Sequence, residues 1–277
     1  MEQFSIVAFW FATVLYAAAT VLYGYWFLSK RRTYSWYATF LTGAGFLCHT
    51  ASIYSRSVAT EGTLLNGPNT LILLAWALVL LYFAMEHLIK VKVYGTALVP
   101  VSLVLMTVSQ LLHAAGRGTV TASPLVENWK VGIHVALIIF ANAGYFIGAV
   151  ASLAYIVQER QLKGHKTSVL FRRLPPLGAI DTLARRAIAF AFPAYSSGLL
   201  LGVVRAIETD PPGWWADPRV MLAGLVWIVF GAYLFLHYRG RASSRTTAMI
   251  AIIGAAMVLV LAIVARAVPA GFHIFGV

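Results

Sequence analysis

Eight long apolar runs dominate this chain of 277 residues. Each contains roughly 20 residues, enough for a helix to cross a hydrocarbon core about 30 Å thick. Lipid offers the backbone no hydrogen-bond partners, so only helical bundles and closed barrels span it, and these runs lack the alternation of barrel strands. They predict an all-α, polytopic membrane protein with eight transmembrane helices. The runs are Phe4–Leu28, Trp36–Tyr54, Asn69–His87, Tyr94–Ala114, Val131–Val157, Ala187–Ile207, Val220–Tyr238 and Thr247–Arg266.

Almost nothing outside these runs is left for a soluble domain. Hydrophobic residues make up 60% of the chain, charged residues make up 11%, and mean hydropathy is +0.80. We therefore expect residues 1–277 to form a single integral membrane domain. The first run is too long for a cleaved signal peptide, and its positive charges follow it, so we expect a retained helix.

The basic residues predict the orientation in the membrane. Fifteen of the 21 lysines and arginines fall in the loops after the first, third, fifth and seventh helices. The positive-inside rule places those loops in the cytoplasm and both termini on the outer, periplasmic side. We expect the bacterial cytoplasmic (inner) membrane as the location. These residues are Lys30, Arg31, Arg32, Lys90, Lys92, Arg160, Lys163, Lys166, Arg172, Arg173, Arg185, Arg186, Arg239, Arg241 and Arg245.

The net charge of +12 does not indicate nucleic-acid binding. The charges are spread over short loops beside helix ends, where they face anionic headgroups, so no nucleic-acid partner is expected. Cys48 is the only cysteine, which excludes an intrachain disulfide. Neither a phosphate-binding glycine loop nor a serine nucleophile elbow is present, and no internal repeat is evident. The sequence contains no familiar catalytic motif.

Histidines are the remaining candidates for chemistry, because ionisable groups in or beside a bilayer are costly and often functional. His134 lies one turn into the fifth predicted helix, and His273 follows the eighth helix on the same predicted side. His49 lies within the second helix, whereas His87 and His237 lie at the predicted cytoplasmic ends of the third and seventh helices. All five are candidate cofactor-binding residues.

The external loop at residues 208–219 contains the stretch "DPPGWWADPR" on the same predicted side as His134 and His273. Two neutral imidazoles facing an aromatic surface suit a six-coordinate haem iron, and indoles suit a porphyrin edge. Arg205, Arg219 or Arg266 would then pair with haem propionates. The alternative is an aromatic belt, since tryptophan is enriched at membrane interfaces in general.

Four segments in the second half of the chain resemble the CcsA/HemX-like cytochrome c assembly family in order and spacing. Two segments of the first half, "GFLCHTASIYSR" and "GPNTLILLAWALVLLY", are similar to its second and third helices. The segments of the second half are "NWKVGIHVALIIF…YIVQERQLK", "LPPLGAIDTLARRAIAFAFP", "GWWADPRVMLAGLVWIVFGAYLFLH" and "PAGFHIFGV".

The resemblance implies a haem-handling membrane protein. In the synthase branch of that family, a tryptophan-rich external loop called the WWD domain holds haem between two external histidines for attachment to apocytochrome c. By motif position these correspond to His134 and His273 as iron ligands, with Trp214, Trp215 and Asp217 in the loop. Haem b, apocytochrome c and a second membrane-anchored assembly protein are the implied cofactor and partners.

Several positions depart from the family pattern. Ala216 precedes Asp217, and Val220 stands where the pattern has an acid. Phe235 occupies the place of a further histidine of the synthase branch, and His237 follows two residues later, about 200° around a helix. The third-helix motif reads "NGPNTL" where a glutamate is usual.

Three functions therefore stay open. The first is a haem-handling subunit of cytochrome c maturation, with a part in a haem lyase left open. The second is a HemX-like haem transporter or a membrane regulator of tetrapyrrole synthesis, with the cytoplasmic basic loop at residues 158–186 as its contact surface. The third is a haem-free structural subunit of a larger membrane complex. Under all three, that basic loop contains an interfacial amphipathic helix.

Overall fold

The computed structural model describes residues 1–29, 31–59, 67–89, 92–116, 129–164, 174–240 and 242–267. Within these ranges the chain forms eight α-helices, two short 3₁₀ helices and no strand, so the predicted all-α class is confirmed. The α-helices are α1 (Glu2–Ser29), α2 (Arg32–Ala59), α3 (Gly67–Ile89), α4 (Gly95–Ala114), α5 (Trp129–Lys163), α6 (Leu177–Thr209), α7 (Pro218–Tyr238) and α8 (Ser244–Ala267).

Seven of these helices are long and apolar enough to cross a membrane, by length and composition. The exception is α2, which has 28 residues but carries many serine, threonine and tyrosine side chains. The protein is therefore a polytopic membrane protein. That α2 also crosses the bilayer, which would make eight spans, stays a prediction.

The helices form two compact units, and unit 1 contains α1–α4. In unit 1, α1 packs along α2, and α4 packs along α3 and α1. The Ser52 hydroxyl donates to the Ser5 carbonyl at 2.9 Å, which joins the end of α2 to the start of α1. The Ser109 hydroxyl donates to the Pro68 carbonyl at 2.7 Å and joins α4 to α3 in the same way. Consecutive helices of unit 1 therefore run antiparallel.

Unit 2 contains α5–α8 and has the same up-and-down order. The most extensive helix packing is between α5 and α6, and α8 packs on α5 and α7. Its core is apolar and aromatic, with Tyr145 stacked on Phe230 at 3.6 Å between ring centroids. Glu159 of α5 faces Arg245 of α8 at 3.8 Å, so the end of α5 lies beside the start of α8.

The predicted loop at residues 158–186 is largely helical where the structure describes it. Helix α5 continues to Lys163, and α6 already begins at Leu177. The predicted amphipathic segment is thus the first part of the 33-residue α6, without a break before the apolar run. Ile180 and Leu183 are buried there, while Arg186 is exposed. The buried face explains why the helix continues across the sequence boundary.

Small residues let α5 and α6 approach closely along their length. A Cβ added at Gly144 of α5 would lie 2.8 Å from the Ala191 Cβ and 3.2 Å from the Ala187 carbonyl oxygen of α6. Lipid is as apolar as the side chains, so helices in a membrane associate through such close packing rather than through a hydrophobic driving force. The Gly144 contact fixes the distance between the two longest helices.

We expect Gly144→Ala to lower the free energy of unfolding by about 1–3 kcal/mol, because the added methyl group must push α6 away. Thermal unfolding in detergent measures this change. Gly132→Ala is the matched control on the same helix, since a Cβ there has no heavy atom within 4 Å. Equal stability of the two variants would contradict the close contact at Gly144.

Candidate functional site

His134 of α5 points its imidazole at the backbone of α6. Its Nδ1 lies 2.6 Å from the carbonyl oxygen of Gly198. Because a carbonyl only accepts, Nδ1 must carry the proton, and Nε2 then keeps its lone pair. Iron-ligating and zinc-ligating histidines usually donate their other nitrogen to a carbonyl or carboxylate in this way. The ring is thus held in the tautomer that binds a metal through Nε2.

Gly202 of α6 provides the surface on which the His134 ring lies. A Cβ at Gly202 would be 2.9 Å from the imidazole Cε1 and 3.1 Å from Nδ1. Any larger residue would therefore displace the ring and disturb its bond to Gly198. Together, Gly198 and Gly202 form a seat for the imidazole, and we use the name glycine seat for these two residues.

A charged cluster lies at the same end of unit 2. The Glu208 carboxylate of α6 contacts the ammonium group of Lys130 on α5. It also lies 3.6 Å from Nη1 of Arg205. Arg205 was predicted as a propionate partner, and the structure pairs it with Glu208. Partly exposed ion pairs of this kind contribute little to stability, because water screens the charges. The consequence of the cluster is positional, because it holds the cations of Lys130 and Arg205 beside each other at the ends of α5 and α6.

The connection from α6 to α7 is a compact turn that displays one indole. Asp210 and Gly213 adopt left-handed backbone angles, with φ of 41° and 69°, and Trp214–Ala216 forms a 3₁₀ turn. Left-handed conformations reverse the chain within few residues. As a result the Trp215 side chain is 71% exposed, whereas Trp214 is half-buried.

Asp217 and Arg219 have a different environment from the tryptophans. Asp217 caps α7, because its Oδ1 accepts the backbone N–H of Arg219 at 2.8 Å. Pro218 follows as the first helical residue, which suits its fixed φ. Both Asp217 and Arg219 are buried, at 7% and 5% exposure. The acid of the loop motif therefore holds the loop onto the helix.

The other candidate histidines are spread over both units. His49 is fully buried in unit 1, with Nδ1 3.4 Å from the Tyr16 hydroxyl. His87 is exposed near the end of α3 in unit 1. His237 belongs to unit 2, where its Nε2 lies 3.8 Å from an Asp181 carboxylate oxygen. Haem contacts of these three stay predictions.

His273 and Arg266 are the two predicted site residues whose side chains the structure does not describe. His273 lies outside the described residues, and Arg266 lies in α8 without a described side chain. Within the described ranges, no group of three or more His, Cys, Asp or Glu side chains is arranged to hold a metal ion. A single imidazole presenting Nε2 would suit a haem iron, because the porphyrin itself supplies most of the donors that a protein must otherwise provide.

Sequence reasoning missed the residues that support His134. Lys130 and Glu208 carry no motif signal, because the two charges are far apart in the chain, and Gly198 and Gly202 carry only a weak one, because glycines are common in membrane helices. Only helix pairing brings them together. The four-residue spacing of Gly198 and Gly202 on α6 was the one available signal, because two small residues at this interval mark a face for close helix contact.

Comparison with known proteins shows that the helices carrying this candidate site match one protein family. A family model described as "Cytochrome C assembly protein" matches residues 64–273, a stretch that includes α3–α8 and ends on His273. "Cytochrome c biogenesis protein CcsA" of Chlorella vulgaris is 28% identical over 271 residues, covering 86% of each chain. Its namesake in Prochlorococcus marinus (strain MIT 9303) is 27% identical over 236 residues, covering 75% of this chain and 73% of the relative. "Protein HemX" of Brevibacillus brevis is 25% identical over 228 residues, covering 82% of this chain and 83% of the relative.

We expect Asp217→Ala to lower the free energy of unfolding by about 1 kcal/mol, because α7 loses its N-cap acceptor. Asp217→Asn keeps an oxygen acceptor and should retain most of the stability. Thermal unfolding in detergent, followed by the tryptophan fluorescence of the whole protein, compares the two variants. A loss of equal size in both would show that the charge of Asp217, rather than its capping bond, is what α7 needs.

Proposed function

The chain belongs to the cytochrome c assembly protein family, and on that premise we propose that it binds haem b in the membrane and presents it for attachment to apocytochrome c. The observation that carries this proposal is the His134 imidazole, whose Nδ1–H is bound 2.6 Å from the Gly198 carbonyl so that Nε2 is the ligating nitrogen. The exposed Trp215 belongs to the connection at the same end of unit 2.

His134 and His273 are the two residues that would hold the haem iron in this proposal, and His273 lies outside the described residues. The glycine seat fixes the orientation of His134, and the indoles of Trp214 and Trp215 provide an apolar surface for the porphyrin edge. Asp217 keeps that surface attached to α7. Haem b would supply vinyl groups to which the reduced cysteine thiols of apocytochrome c add. The chain itself contributes position and ligation, so no catalytic acid or base is required.

The propionates of haem would be received by the charged cluster of unit 2. Glu208 already places a carboxylate between the cations of Lys130 and Arg205. A propionate carries the same chemical group, so it would take the place of the Glu208 carboxylate beside these two cations and make the same charge-assisted hydrogen bonds. Lys130 therefore joins Arg205 as a propionate partner. Arg219 is buried at the start of α7, and its contact with a propionate stays a prediction.

The proposed orientation puts this end of unit 2 on the outer side of the bacterial cytoplasmic membrane. The loop from α6 to α7 and both termini face outward, where exported apocytochrome c arrives. Most of the basic residues face inward, as the positive-inside rule requires. A second membrane-anchored assembly protein is the proposed partner that brings the apocytochrome to the loop.

A second candidate is a HemX-like role as haem transporter or membrane regulator of tetrapyrrole synthesis. The shortness of the connection from Asp210 to Asp217 favours it, because this turn exposes one indole prominently rather than a broad platform. Co-purification separates the two candidates. A large membrane-anchored assembly protein in the complex supports apocytochrome delivery, and a cytosolic tetrapyrrole enzyme supports the second role.

We expect the purified protein in mild detergent to take up haem and give the optical spectrum of six-coordinate b-type iron. His134→Ala and His273→Ala should each lose or shift that spectrum, because each removes one axial imidazole. His165→Ala, which changes a histidine of the predicted cytoplasmic loop, is the control and should match wild type. A wild-type protein that stays free of haem after reconstitution would refute haem binding and favour the structural-subunit hypothesis.

The orientation has its own test, made simple by the single cysteine Cys48. In a Cys48→Ser background, Pro212→Cys places a thiol in the α6–α7 connection and Ala242→Cys places one in the α7–α8 connection. A membrane-impermeant maleimide added to intact cells should label the first variant and spare the second until the cells are opened. The reverse pattern would invert the proposed topology.

A further inference from the structure

The two four-helix units repeat one internal arrangement. We infer that the chain is a duplicated four-helix unit in which His134 and its glycine seat are an addition to one copy, serving ligand binding rather than folding. The ligand half of this inference rests on the proposed function, because the ligand is haem. The duplication half stands on the packing within each unit alone. The order of helix contacts is the same in both units, with the first helix packed chiefly on the second and the fourth on the third and the first.

A tryptophan motif recurs at the same place in the two units. In unit 1, Trp76 of α3 stacks on Phe46 of α2 at 5.5 Å and 21°, and its indole N–H donates to the Thr50 hydroxyl at 2.9 Å. In unit 2, Trp227 of α7 stacks on Phe192 of α6 at 5.6 Å and 25°. Its indole N–H donates to the Ser196 hydroxyl at 2.8 Å. In each copy the hydroxyl follows its phenylalanine by one helical turn.

Buried rings extend the correspondence through the first three helices. His49 follows Phe46 by the same interval as Tyr195 follows Phe192, and each ring meets a buried tyrosine of the preceding helix. That partner is Tyr16 at 5.9 Å in unit 1 and Tyr145 at 5.5 Å in unit 2. The interval from Trp76 to the buried Tyr82 is also the interval from Trp227 to the buried Tyr233.

The fourth helix of each unit buries the same positions. In α4 the buried residues Val99, Ser102, Met106 and Ser109 follow one spacing, and α8 repeats that spacing with Ala248, Ala251, Ala255 and Val258. No repeat is evident from the sequence because equivalent positions differ in residue type, as with His49 and Tyr195. Lipid-facing positions need only be apolar, so similarity there fades first.

When unit 1 is aligned on unit 2 so that Tyr16 matches Tyr145, Ser5 falls at the position of His134. When Phe46 is matched to Phe192 in the next helix, Ser52 falls at the position of Gly198. These are the residues that join the first two helices of each unit. In unit 1 the Ser52 hydroxyl donates to the Ser5 carbonyl at 2.9 Å, and in unit 2 His134 Nδ1 donates to the Gly198 carbonyl at 2.6 Å. The two bonds join the same pair of helices with donor and acceptor exchanged, since the donor lies on the second helix in unit 1 and on the first helix in unit 2. In unit 1 the residue aligned with His134 contributes only its backbone carbonyl, so that unit forms the junction without an imidazole at this position.

Gly202, the second residue of the glycine seat, also differs from the residue at the equivalent position of unit 1. Gly202 corresponds to Arg56, whose guanidinium lies against Asn69 and His113 in unit 1. In unit 2 the glycine leaves room for the His134 ring, which a Cβ would approach to 2.9 Å. Gly202 is therefore a positioning residue, which keeps His134 Nδ1 on the Gly198 carbonyl and presents Nε2 to a ligand.

The central test compares folding with haem uptake in the full-length protein. His134→Ser introduces the residue type that the other copy carries at this position. It should lower the melting temperature of the haem-free protein by no more than about 3 °C. Haem titration of the same variant should lose the six-coordinate spectrum. A variant that unfolds or fails to insert would show that the imidazole is needed for folding and would overturn the inference.

Gly202→Ala tests the positioning role. We expect its haem affinity to fall roughly tenfold, because second-shell support of a ligating histidine is lost. Gly224→Ala is the control, since a Cβ there has no heavy atom within 4 Å, and it should bind haem as wild type does. In the His134→Ser background, Gly202→Ala should have no further effect on haem affinity or melting temperature. Wild-type haem affinity and spectrum in Gly202→Ala would overturn the positioning role.

The two halves of the inference fail separately. If wild type takes up no haem, the proposed function falls, while the melting temperature of His134→Ser still decides whether the imidazole is dispensable for the fold. The duplication predicts that Trp76→Phe and Trp227→Phe lower the melting temperature by similar amounts, because each removes one indole N–H bond of the same geometry. A loss at one position with none at the other would contradict the equivalence of the units.

Discussion

The close approach of α5 and α6 is the contact on which the candidate site depends. Gly144 and Gly148 of α5 lie against α6, and Gly198 and Gly202 of α6 lie against α5. The hydrophobic effect does not drive helices together inside a lipid bilayer, so close packing of small-residue faces holds them together instead. They also bring the α6 backbone within reach of the His134 side chain, so the same packing that stabilises unit 2 sets the geometry of its imidazole.

The chemistry available at this end of unit 2 follows from that packing. A histidine bound through Nδ1 offers its other nitrogen, a carboxylate sits between two cations, and a turn anchored by Asp217 displays Trp215. Each element alone is common at a membrane interface. Their presence at one end of one four-helix unit, in a member of the cytochrome c assembly protein family, supports haem binding as the proposed role.

Residue types and the family resemblance predicted part of this candidate site, and its supporting residues were missed for physical reasons. His134, Trp214 and Trp215 were predicted because an ionisable or aromatic side chain at a helix end is conspicuous in an apolar chain, and Asp217 was predicted from the family resemblance of the loop. The supporting groups were missed, since Gly198 contributes a backbone carbonyl and Gly202 contributes the absence of a side chain. The pairing of Lys130 with Glu208 depends on two helices whose termini are distant in sequence.

The sequence by itself determined the class of the protein, because roughly 20 apolar residues in succession have a single stable solution in lipid, a helix with all its backbone bonds satisfied internally. It also predicted the eight helices that the described residues form, seven of them apolar enough to span a membrane, and the placement of the tryptophan turn between two of them. Tertiary structure alone decided where α6 begins, since burial of Ile180 and Leu183 extends that helix beyond its apolar run. It also decided the tautomer of His134 and the likeness of the two units, because both depend on contacts between helices whose residue types can change while the packing persists.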